Sequence, residues 1–197
     1  MAADELDLLL RDRLNLGRAE VIAALKSLPA RRPPAAALTA VQALLLDSAG
    51  FTEDPAAYSD NAVDVIVRIA RLLSTAFSAA DVASGLGIDD VQLRARRRAR
   101  TAWAIDGDGT WVYPRMQFEV VDDNRCGQAL QQVRGLDQIL PALPTDVHPL
   151  AVAGFLLTPQ SELNVDGGPR TVREWLRGGG AVADVLRLVE IGDWAPR

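Results

Sequence analysis

The chain has 197 residues, 49% of them apolar, with a mean hydropathy of +0.06 and a net charge of −5. That length holds one large or two small domains, each able to bury a core. An acidic total excludes indiscriminate nucleic-acid coating by the whole surface, so any such contact must come from a localised basic face.

No stretch of 18 uncharged apolar residues occurs, which argues against a membrane-spanning helix. The acidic, amphipathic start MAADELDLLLRDRL is unlike the basic leader of a secretory signal. The single cysteine, Cys126, excludes an internal disulfide framework and suits a reducing compartment. A cytoplasmic protein without a membrane partner is expected.

Apolar residues recur at helical spacing over Leu6–Leu28, predicting one or two helices broken near Asn15–Gly17. Pro29–Pro34 is a breaker and connector. A second apolar helix is expected over Ala35–Ala49, stopped by Gly50, with a loop over Phe51–Ser59. Ser59–Ala76 is the clearest amphipathic helix of this half, capped by Ser59, Asp60 or Asn61, with Val63, Ile66, Val67, Ala70 and Leu73 as its buried stripe. Residues 1–75 therefore read as a helical bundle. It contains no clustered histidine, cysteine or paired carboxylates, so packing or self-association is its expected role.

Asp81–Arg100, DVASGLGIDDVQLRARRRAR, has the spacing of a helix-turn-helix. Ala83 sits where two helices approach closely, Gly87 supplies the positive φ of the turn, and Leu93 anchors the second helix. Val82, Leu86 and Ile88 add apolar contacts. Asp89 and Asp90 follow the turn, where a carboxylate caps free N–H groups. Arg94, Arg96, Arg97, Arg98 and Arg100 then form the densest positive charge of the chain. At 100° per residue they cannot share one stripe, but they can face a phosphate backbone over most of a helix circumference. The bland alternative is a solvated face.

Trp103–Ile105 and Trp111–Tyr113 flank Asp106-Gly107-Asp108-Gly109, a strong signal for a tight β-hairpin. A hairpin directly after a recognition helix is the layout of a winged helix, here over 76–121. Arg115, after Pro114, is placed beside bound DNA. Trp103, Trp111, Tyr113 and Phe118 are read as packing residues. Double-stranded operator DNA is thus the expected ligand. DNA readers of this size often pair on two half-sites, which makes a homodimer the expected assembly.

Asp122–Gln128 is polar and reads as a hinge. Beyond it, Leu136–Leu143 is a short helix ended by Pro144, and Thr145 or Asp146 can cap the next one around His148–Leu157. Gly167 and Gly168 permit a tight turn, Pro169 pre-sets a helical first turn, and Thr171 caps Val172–Leu176. Gly178–Gly180 stops that helix, and Ala181–Ile191 forms another. Trp175 reads as a core residue. Trp194 is either tucked back onto the fold or offered to a partner.

Catalysis is not expected. His148 sits before a proline at a helix start, where capping or packing suits it. Gly-Asp-Gly at 107–109 and Gly-Gly-Gly at 178–180 lack the context of a phosphate loop, and the side chains of Asp89-Asp90 and Asp122-Asp123 diverge. No zinc spacing is present, and neither cofactor nor metal is anticipated.

The order Leu156-Leu157-Thr158-Pro159-Gln160, Leu163, Gly168-Pro169, Trp175-Leu176, Gly179-Gly180 and Val185-Leu186 with Val189 resembles the Xre/MbcA/ParS toxin-binding domain over roughly the last 50 residues. The chain differs from that pattern at Asn164–Gly168, which is longer, and lacks an Xre-type head. The resemblance implies that 130–197 docks on a RES-domain toxin, an NAD⁺-consuming enzyme, and blocks its active site. Pro159, Gln160, Trp175, Gly179, Gly180 and Trp194 are the toxin-facing residues on this reading. The expected whole is a mainly α protein: a helical bundle, a helix-turn-helix with one short hairpin wing, and a small C-terminal helical domain. Its expected role is that of a bacterial antitoxin repressing its own operon; the alternative is a stand-alone winged-helix regulator.

Overall fold

The structure, a computed structural model, describes residues 5–28, 38–51, 55–123, 127–165 and 167–192. Cys126 and Trp194 lie outside them. The chain divides into two units, Met1–Ala70 and Arg71–Arg197.

In the first unit, α1 (Glu5–Leu9) runs into a π-helical turn at Leu10–Leu14, which ends at Asn15 with φ 54°. Helix α2 (Arg18–Ser27) follows. Thr39 caps α3 (Ala40–Ser48) in a reciprocal box with Gln42, whose side-chain oxygen accepts from Thr39 N at 2.9 Å. Helix α4 (Pro55–Ser74) starts earlier than the caps expected at Ser59–Asn61, because a proline is well suited to a helix's first turn. No residue of α3 is buried: Val41, Leu44 and Leu45 stand in solvent, as does Phe51 beyond it.

The second unit opens with β1 (Phe77–Ser78), α5 (Ala79–Leu86) and α6 (Asp90–Arg98). Ser78 and Asp81 box the start of α5, and Gly87 ends it at φ 63°, the left-handed geometry the turn demands. Asp89 caps α6, its carboxylate accepting from Gln92 N at 2.7 Å. Strands β2 (Ile105–Asp106) and β3 (Trp111–Tyr113) form the expected hairpin, and β1 adds to it in the order β1-β3-β2. Val82, Ala83, Leu93, Ala102, Tyr113 and Phe118 make the core beneath.

Two further hairpins follow. Strand β4 (Phe118–Asp123) pairs with β5 (Gly127–Gln132) in register from Phe118↔Gln132 to Asp123↔Gly127. The segment read as a hinge is therefore a strand end on each side, with 124–126 outside the described residues. Strand β6 (Pro159–Val165) pairs with β7 (Gly168–Thr171), with an irregular register between Gln160 and Asn164. A mainly α protein with a single wing hairpin is thus corrected to a mixed α/β fold, ten helices with three small antiparallel sheets among the described residues. The reason is that both added hairpins gain backbone hydrogen bonds and burial by lying against helices. Leu130 of β5 packs so close to Gly85 of α5 that a Cβ there would collide with it, and Leu163 of β6 is wholly buried.

Helices α7 (Leu136–Ala142), α8 (Pro149–Leu157), α9 (Val172–Arg177) and α10 (Val182–Ile191) complete the unit. Their core joins Leu136, Ile139, Phe155, Leu156, Val172 and Val185 to Leu163 of the hairpin. Thr171 and Glu174 box the start of α9. His148, rather than Thr145 or Asp146, caps α8, its Nδ1 accepting from Leu150 N at 3.3 Å. An ion pair from Arg177 to Glu119 and a bond from Arg173 to Phe118 O at 3.3 Å fasten β4 to α9.

One buried amide ties these parts together. Gln117, in a 3₁₀ turn at Arg115–Gln117, is 0% exposed. Its Nε2 donates to Trp103 O at 2.6 Å and to Pro114 O at 3.2 Å, and its Oε1 accepts from Trp103 N at 2.8 Å. Its own carbonyl accepts from Val133 N at 2.9 Å.

Removing that amide strands the backbone N–H and C=O of Trp103, while Pro114 O keeps the Gln117 backbone N–H at 3.4 Å. Gln117→Leu is expected to lose about 3 kcal/mol, read as a lowered urea midpoint with unchanged slope. A second outcome concerns pH. Burial pushes the His148 imidazole below its ordinary value of about 6.5, so folding favours the neutral ring that the cap uses. Its contribution is complete above that value and is lost as pH falls from there toward the lowered folded value, because the unfolded chain then binds the extra proton. Urea titrations at about pH 7.5 and about pH 5.5 check this. His148→Asn should reduce the difference between the two.

Candidate nucleic-acid interface

The charge of α6 sorts into inward and outward groups once the helix is fixed. Leu93, 1% exposed, pins one face to the core, so the opposite face turns to solvent. At 100° per residue the centre of that outer face is Val91 and Ala95, with Arg94 and Arg98 together along one flank and Gln92 and Ala99 along the other. Val91 is 67% exposed, an apolar side chain presented to water at the first turn of a capped helix. The outer surface is therefore narrow and low in relief, with guanidinium groups beside it.

The arginines hold different positions. Arg94 is exposed and lies along its own helix, Nε donating to Asp90 O at 3.1 Å. Arg98 is exposed, with no ion pair among the described residues. Arg97 is half-buried, its guanidinium 4.0 Å from the centre of the Trp111 ring of the wing. Arg96 is half-buried on the inward flank, and its carbonyl accepts from Thr101 N at 2.9 Å. Arg115 lies apart from the helix, over the Phe77 ring at 4.5 Å, where Phe77 meets Phe118 edge to face.

Arg100 does something else. It sits past the helix end at φ 60°, and its guanidinium donates to Leu143 O at 2.7 Å, Pro144 O at 3.1 Å and Pro141 O at 3.4 Å. These are carbonyls at and just past the C-terminal end of α7, where the helix dipole is negative and acceptors lack intrahelical partners. Arg100 therefore joins the helix-turn-helix to the C-terminal helices. The wing tip carries Asp106 and Asp108, and Asp106 accepts from Gly109 N at 2.7 Å. The wing tip is thus acidic, while its Trp111 ring holds the Arg97 guanidinium.

The residues read as toxin-facing fall in two places. Pro159 is exposed at the start of β6, and Gln160, half-buried, donates to Thr158 O at 3.1 Å. Trp175, Gly179 and Gly180 meet at the step between α9 and α10. There the Trp175 ring lies against Gly180, leaving no room for a Cβ, and Nε1 donates to Ala181 O at 3.1 Å. Trp175 is a half-buried brace for that step. Trp194 falls outside the described residues.

Sequence reasoning passed over Val91, Ala95 and Gln117. For the first two the signal was present, since a helical wheel anchored on Leu93 places them opposite. For Gln117 none existed, because a glutamine between Met116 and Phe118 carries no mark of burial. Comparison with known proteins gives no match, neither a family model, nor a curated protein, nor a solved structure.

The two arginine roles separate by experiment. Arg100→Ala is expected to cost about 2 kcal/mol in chemical unfolding, because charge-assisted hydrogen bonds are lost. Arg98→Ala is expected to stay within about 0.5 kcal/mol of the parent.

Proposed function

We propose that this chain is a DNA-binding antitoxin that represses its own promoter and neutralises a RES-domain, NAD⁺-consuming toxin through its C-terminal part. The observation carrying the DNA-binding half is the outer face of α6, set on a helix-turn-helix in a chain of net charge −5. Val91 and Ala95 offer small apolar contacts suited to thymine methyl groups, and helix N-termini are where recognition helices meet base edges. Arg94 and Arg98 flank them as the base-edge or phosphate contacts. Arg97 and Arg96 lie further back as phosphate contacts. Arg115 contributes from beside β1, and Arg100 is left out of the contact set because its donors hold α7.

The toxin-binding half rests on the resemblance of Leu156–Val189 to the Xre/MbcA/ParS domain. Within it, the exposed start of β6 and the α9–α10 step are the two surfaces assigned to the partner. A second copy is assigned to the first unit, where Val41, Leu44 and Leu45 present one apolar surface on α3. Pairing there would give the two-fold partner that half-site recognition requires.

Fluorescence anisotropy against the chain's own upstream DNA, repeated across salt concentrations, tests the first half. Arg98→Ala is expected to lower the slope of log affinity against log salt by about one and to weaken binding to all sequences if it clamps a phosphate. If Arg94 reads a base, Arg94→Ala instead costs about 1–3 kcal/mol at one operator position. Unchanged binding in both variants sinks the assignment. Co-expression and pull-down with the product of the adjacent gene tests the toxin half, and a stand-alone regulator would bind DNA yet retain no such partner. Light scattering of Leu44→Glu is expected to show a monomer where the parent is a dimer.

A further inference from the structure

Within the second unit a cavity of about 600 Å³ opens between the wing and the C-terminal helices. We infer that it is a binding site for an amphipathic organic anion, an aromatic or acyl carboxylate or sulfonate. The inference does not rest on the function proposed above, although Arg97 and Arg98 belong to both residue sets.

Its size falls within the range of small-molecule sites, which are mostly apolar with a few placed polar groups. The walls fit that description: Trp103, Trp111, Leu140, Leu143, Val147 and Val152 supply indole faces and branched aliphatic surface. The charge is one-sided. Arg97, Arg98 and Arg100 line the cavity, against a single carboxylate, Asp106. That carboxylate is engaged by the hairpin turn, accepting from Gly109 N at 2.7 Å. The guanidinium groups are not neutralised in this way. Arg100 is oriented by three backbone carbonyls, which leave its full charge in place. Arg97 is stacked on Trp111, and Arg98 has no ion pair among the described residues.

Three cations beside apolar walls call for an anion with an apolar body. A guanidinium fork matches carboxylate or sulfonate oxygens in pairs, and a partly water-excluded cavity strengthens the attraction relative to open solvent. A wholly apolar ligand would leave this charge unanswered, and a small inorganic anion would leave the indole walls wet. Neither Arg97 nor Arg100 can retreat from the cavity without losing its own contacts, so the charge is preorganised.

The test uses the full chain and two dyes. 8-Anilinonaphthalene-1-sulfonate carries both features, and N-phenyl-1-naphthylamine has the same rings without the anion. Energy transfer from tryptophan to dye is expected to saturate at one sulfonate dye per chain, with the neutral dye about tenfold weaker. Arg98→Glu should weaken the sulfonate dye at least about tenfold while leaving the neutral dye unchanged. Thr145→Trp, which fills the cavity from an exposed lining position, should weaken both dyes. Near-ultraviolet circular dichroism confirms that each variant is folded. Equal affinity for the two dyes would overturn the inference, as would absence of saturation or binding indifferent to both substitutions.

Discussion

The Gln117 side-chain amide is the contact on which the geometry of the second unit depends. It occupies both backbone groups of Trp103 and thereby completes a strand-like rung where the chain leaves α6 for the wing. The same amide holds Pro114 at the wing's exit, and the residue's carbonyl holds Val133 at the entry to the C-terminal helices. The start of the wing, its exit and the entry to the C-terminal helices converge on one residue with every polar atom satisfied. Such a network is strong in a low-dielectric interior and costly when any member is missing. Gln132 adds to it, donating to Thr101 O at 2.6 Å.

That anchoring determines what the arginines of α6 can do. With Leu93 inside, the face of α6 on which each arginine sits is set. Arg100 turns back to the C-terminal carbonyls of α7, Arg97 rests on the wing, and Arg94 and Arg98 remain exposed. A dense basic run thus serves two purposes at once, internal bracing and an outward cationic flank. Salt weakens the outward part most, because exposed charges are screened while partly buried ones are not.

The helix-turn-helix was plain in the sequence because its signals are local. Gly87 for the turn, Asp89 for the cap and Leu93 for the anchor each act within a few residues, as does Asp-Gly between aromatic runs for the wing. The α9 start was legible for the same reason, through Thr171 three residues before Glu174. The hairpins β4–β5 and β6–β7 were not. Pro159–Val165 buries one residue, Leu163, and its other six positions are not buried, so no inside-outside alternation marks it as a strand. Gly127–Gln132 is rich in glutamine, and its pairing is justified by Leu130 meeting the bare backbone of Gly85. Neither reason can be found by reading along a window.

Amino-acid order alone therefore determined the elements governed by caps, turns and periodicity, together with the contrast between an acidic chain and one basic helix. Tertiary structure alone decided which arginines face outward, which strands pair, and that an unremarked glutamine is the buried keystone. The physical reason is range. Caps and turns are satisfied by neighbours a few residues away. Burial of Gln117 is settled by Trp103 and Val133, more than a dozen residues away on either side, and the direction of Arg100 by Pro141, Leu143 and Pro144, more than 40 residues on.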